Sequence, residues 1–106
     1  MFITNTETVP GARIARSLGL VQGSTVRAKH LGRDIMSGFK NLAGGELTAY
    51  TELLTESRNE AITRMIAHAQ QLGANAVVNV RFTTASVAAG AAEMYAYGTA
   101  VVLEND

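Results

Sequence analysis

"QLGANAVVNVRF", residues 71–82, holds a helix stop, a turn and the start of a strand. Gly73 suits the left-handed backbone that the residue just past a helix adopts. Ala74 and Asn75 turn the chain, and the β-branched run after them predicts a strand over 76–84. Alternation puts Ala76, Val78, Val80 and Phe82 on one face, with Val77, Asn79, Arg81 and Thr83 on the other. The first of these faces is the one expected to receive a helix.

That helix lies upstream. Leu47, Tyr50, Leu54, Ala61, Met65, Ala69 and Leu72 recur at helical spacing for about seven turns, with no proline between them. A shorter apolar set, Ile35, Met36, Phe39 and Leu42, predicts a second helix stopped by Gly44-Gly45. Before it, "ARIARSLGLVQGSTVRA" reads as one long strand or two with a bend. Its Ile14, Leu18, Leu20 and Val26 are expected in phase, with Gly19 and Gly23 marking a bulge or a close backbone approach. "MFITNTE" reads as a short edge strand ended by Pro10-Gly11.

After the small-residue stretch "ASVAAGAA", the last strand covers 93–104. Met94, Ala96, Gly98, Ala100 and Val102 oppose Tyr95, Tyr97, Thr99, Val101 and Leu103, so both faces are nearly apolar. The order β-β-α-α-β-β predicts an α+β fold, an antiparallel sheet with one long and one short helix on one face.

The 106 residues form one domain, 1–106, with 47% apolar and only 17% charged residues. So few charges on so small a body imply that some apolar surface meets another subunit. No cysteine is present, which excludes disulfides, thiolate catalysis and zinc knuckles. No signal-like start and no run of about 18 apolar residues occurs, so the expected location is the cytoplasm, with no membrane partner.

Net charge is zero but unevenly spread. Arg13, Arg16, Arg27, Lys29, Arg33 and Lys40 outweigh Glu7 and Asp34 up to residue 45, and acids prevail afterwards. Two halves complementing each other explain this better than nucleic-acid binding, because Tyr and Phe are not interleaved with the basic residues.

Arg33-Asp34, Gly44-Gly45, Tyr50, Arg58, "LGANAVV" at 72–78 and "GTAV" at 98–101 follow one another in an order that resembles the YbjQ family. These are small uncharacterised bacterial proteins, sometimes described as heavy-metal-binding, and the resemblance covers nearly the whole chain. It implies a dodecin-like subunit in a ring-shaped, five-copy homo-oligomer, and it brings no catalytic residue.

Candidate chemistry is sparse. Glu60, Arg64 and His68 fall at i, i+4 and i+8, which reads as a charge ladder on a helix surface. His30 stands alone and joins a metal site only across a subunit contact. Glu52 and Glu56 could bind a hard cation if they converged in a pocket, but on an exposed helix they simply solvate it. Arg58 falls near the centre of the apolar stripe, where a buried guanidinium needs a partner, and Asp34 from the other helix is the expected one. No serine has an elbow motif and no glycine loop has a phosphate cradle, so no enzyme and no cofactor is expected. The function expected is a non-catalytic homo-oligomeric scaffold or binding module. The alternative is a metal or small-ligand binder whose site forms between subunits.

Overall fold

The computed structural model describes residues 1–27, 44–88 and 91–106. Helix α1 (Gly44–Gln71) ends at Gly73, whose φ is 84°. The Gly73 N–H bonds to the Gln70 carbonyl at 3.0 Å, and the Ala74 N–H to the Ala69 carbonyl at 3.1 Å. This pair of bonds is a Schellman closure, which satisfies carbonyls that a helix end otherwise leaves open. Ala74 packs back onto the core cluster that contains Ala69. Asn75 then fixes the register of the next strand. Its carboxamide donates to the Leu103 carbonyl at 2.9 Å and accepts from the Leu103 N–H at 2.7 Å, as a strand backbone would.

Four strands make one sheet: β1 (Phe2–Ile3), β2 (Ala12–Arg27), β3 (Ala76–Ala88) and β4 (Ala91–Asn105), in the order β1-β3-β4-β2. The pairs β3–β4 and β2–β4 are antiparallel, whereas β1 runs parallel to β3. The fold is therefore α+β, but its sheet is mixed rather than wholly antiparallel. One helix appears among the described residues. The expected short helix over 35–42 lies outside them, and Gly44-Gly45, the residues expected to stop it, are the first two of α1. Strands β3 and β4 also run further into "ASVAAGAA" than the sequence predicts, because alanine and serine tolerate a ladder that the hairpin partner already supplies.

The core is a seam of small residues. Ser57, Ala61, Met65 and Ala69 are buried at strict four-residue spacing along α1. They meet Val21, Val77, Val80, Met94, Ala96 and Ala100 from the sheet. The helix lies mainly over β2, partly over β4 and barely over β3. It can sit so close because Gly23 lies directly beneath it: a Cβ there would collide with the Ala61 carbonyl oxygen and the Met65 nitrogen, and would come 2.8 Å from Arg64 Cβ.

Two face assignments need correction, and irregular backbone is the cause in both. In β3, Asn79 adopts a φ of 57°, and the register with β4 slips between Val78 and Arg81. Asparagine enters this left-handed region more readily than most residues. The extra residue flips the alternation, so Val77 and Val80 face α1 while Ala76 and Val78 face away. In β2 the register slips twice, between Ile14 and Arg16 and between Ser17 and Gly19. Leu18 consequently packs on the core, whereas Leu20 and Val26 are 63% and 54% exposed on the far face. Gly19 beside the slip has a φ of 102°, as a bulge glycine would.

The far face has a small cluster of its own. Ala76, Val78 and Val101 are buried there, with Val9 and Leu103 packed against them. Tyr95 and Tyr97 continue along it, their ring centroids 5.2 Å apart, and the Tyr95 hydroxyl donates to Gln22 Oε1.

Candidate functional site

Two polar side chains of α1, Arg64 and His68, reach the outer edge of β2, the last strand in the sheet order. Glu60 and Arg64 form the expected ladder, with Arg64 Nη2 2.5 Å from Glu60 Oε1. The same guanidinium donates through Nη1 to the Ser24 carbonyl at 2.5 Å. One turn on, His68 Nδ1 accepts the Gln22 backbone N–H at 3.2 Å. A ladder read as pure surface charge thus also fastens the helix to a strand edge. Nothing in the sequence links Gln22 to His68, 46 positions apart; only the pairing of α1 with β2 brings them together.

The remaining candidates do not converge. Glu52 and Glu56 are both exposed on α1. Arg58 is exposed as well, and Ser57 takes the buried position in that turn. The expectation of a buried Arg58 is therefore corrected: the stripe from Ala61 continues to 57, four residues back, and not to 58. Asp34 and His30 lie outside the described residues, so the expected Arg58–Asp34 pair does too. The charge complementarity read from the sequence has one direct instance among the described residues, Arg13 Nη2 with Glu104 Oε2 at 2.5 Å, on the exposed surface.

A family model described as "Putative heavy-metal-binding" matches residues 1–104. The chain belongs to the YbjQ family. Over 104 residues it is 65% identical to a UPF0145 protein of Hahella chejuensis, covering 98% of this chain and all of the relative. A UPF0145 protein of Archaeoglobus fulgidus is 60% identical over 103 residues, 97% of this chain and 95% of the relative. The crystal structure of a protein of unknown function from Pediococcus pentosaceus, assigned to the DUF74 family, aligns with a TM-score of 0.64 and 18% identity. It covers 98% of both chains and shows the shared fold alone.

The described residues do not fit the metal in the family's description. Heavy metals such as zinc, copper or cadmium favour thiolate and imidazole ligands, and the chain has no cysteine and two histidines. His68 already spends Nδ1 on a backbone N–H. Among the described residues no three His, Asp or Glu side chains converge on a common point. Elemental analysis of untagged, chelator-free protein should find well under one equivalent of zinc, copper or cadmium per chain. Stoichiometric metal surviving dialysis would overturn this and favour a site shared between subunits.

Proposed function

We propose that this YbjQ-family chain is a non-catalytic subunit of a closed homo-oligomer, a scaffold or binding module that works in the cytoplasm and whose principal partner is itself. The observation that carries the reading is how extended the subunit is for its mass. Its radius of gyration is 16.9 Å, where about 13 Å is usual for a chain this long. Strands of 13 to 16 residues set the 54 Å long axis, and the one helix among the described residues lies mainly over β2.

The uncovered apolar side chains fall where a neighbour would be needed. Leu20 and Val26 lie on the far face, and Phe82 is exposed on β3, over which α1 barely lies. The far face mixes Leu20 and Val26 with Gln22, Thr99 and the two tyrosines, the mixture typical of interfaces that are not permanently dry. Membership of the family brings the expectation of a dodecin-like ring of five. Closure is the physical requirement, since head-to-tail contacts that fail to close grow filaments. Among the described residues no helix is long and apolar enough to cross a membrane. Light scattering at low micromolar concentration should give about five times the 11.2 kDa chain mass. A stable monomer would remove the reading.

A further inference from the structure

We propose that His68 is a proton-sensitive cap on the outer edge of β2, closed while its imidazole is neutral and opened when it takes up a proton. The inference stands independently of the assembly described above. Strand β2 is outermost in the sheet order, so the outward N–H and C=O groups of its central residues face no strand among those described. Two of them are held by α1 instead: the Gln22 N–H by His68 Nδ1 and the Ser24 C=O by Arg64 Nη1. The spacing is commensurate, because one helical turn and two strand residues both advance about 6 Å.

The two holds differ in one respect. Arg64 stays charged at any pH the fold meets, so its bond to Ser24 persists. An imidazole nitrogen that accepts a hydrogen bond carries no proton, and here the proton must sit on Nε2. Protonation places an N–H on Nδ1, pointing at the N–H of Gln22, and turns attraction into repulsion. His68 lies in the last turn of α1, whose C-terminal end favours an imidazolium without giving the Gln22 N–H an acceptor. On α1 the charged neighbour one turn back is Arg64, of like sign, and Glu60 beyond it is engaged by Arg64. On β2 no titratable side chain lies between Gly19 and Val26, and the charges further along are Arg16 and Arg27. The helix-facing residues of β4 are Met94, Ala96, Gly98 and Ala100, none of them titratable. An open, partly apolar strand edge invites pairing with other chains, and Leu20 and Val26 flank this one in exposed positions.

The test is amide hydrogen exchange at Gln22 in the intact protein, with each rate corrected for the pH dependence of intrinsic exchange. Between pH 8 and pH 5, the range in which histidine ordinarily changes charge, Gln22 protection should fall by at least about tenfold, the loss of one hydrogen bond. Protection at Ala100, in the core, should hold. His68→Asn places a carboxamide oxygen near the Nδ1 position and cannot titrate, so its Gln22 protection should be high at both pH values. His68→Lys offers only donors and should leave Gln22 unprotected at both. Protection of Gln22 that stays constant with pH in the natural sequence would overturn the proposal, as would a loss in His68→Asn as large as in the natural protein.

Discussion

Gly23→Ala should destabilise the fold by at least about 3 kcal/mol, and Gly23→Val by more, at the upper end of what overpacking causes. The reason is which atoms stand in the way. A Cβ at position 23 meets the Ala61 carbonyl oxygen and the Met65 backbone nitrogen, both parts of a regular helical ladder. A flexible side chain could swing aside, but a helix backbone moves only as a body. Lifting α1 would loosen Ala61, Met65 and Ala69, all fully buried now, and would stretch the Arg64 and His68 bonds to β2. Urea midpoints at a fixed protein concentration measure the loss, and concentration must be fixed because assembly shifts apparent stability. Gly19→Ala is the control. A Cβ there meets nothing within 4 Å, although φ is 102°, so only the strain of a positive φ applies, about 1–2 kcal/mol. If Gly23→Ala were no worse than Gly19→Ala, α1 would not be seated where the structure places it.

The glycines were also where the sequence was most legible. Gly73 as a helix stop, and Gly19 and Gly23 as marks of a bulge or a close approach, follow from the residue itself; the structure puts the bulge at Gly19 and the close approach at Gly23. The long helix and the two faces of β4 were legible for a similar reason, since their periods run unbroken for many residues. Face assignments failed where the period was interrupted by a residue with no distinctive signature. Asn79 is one polar residue in a β-branched run, and nothing local distinguishes an outward asparagine from one at a left-handed bulge. Val80 beyond the slip keeps the face expected of it, while Ala76, Val77 and Val78 before it are reversed, because a one-residue slip puts the two sides of the strand out of phase. Arg58 failed differently. Its stripe was anchored on Leu54, which is 42% exposed, so a large apolar residue outvoted the small Ser57 that is in fact buried. The His68–Gln22 contact had no sequence signal, because it joins a side chain to a backbone group across two elements.

A core built from so many alanines depends on its few large members, and Met65 is the largest side chain in it that is fully buried. Met65→Ala should cost about 4 kcal/mol, within the roughly 2–5 kcal/mol usual for such truncations and towards its upper half. The spread in that range reflects how far neighbours can collapse into the space left behind. Around Met65 the helix offers Ala61 and Ala69, and the sheet offers Gly23, Ala96 and Ala100, all too short to reach inward. Val21, Val77 and Val80 are the branched members of the buried cluster, and a β-branched side chain in a strand has restricted freedom at χ1. That leaves Met94 as the one flexible buried member able to move in. Most of the void therefore stays open, and its walls lose contacts. Met65→Leu conserves volume and should cost under about 1.5 kcal/mol, which separates lost packing from any requirement for the thioether. Denaturant unfolding of both variants at one protein concentration makes the comparison. A loss below about 1 kcal/mol for Met65→Ala would mean that the seam between α1 and the sheet closes over the gap. The tight approach at Gly23 could not then be what fixes the distance between helix and sheet.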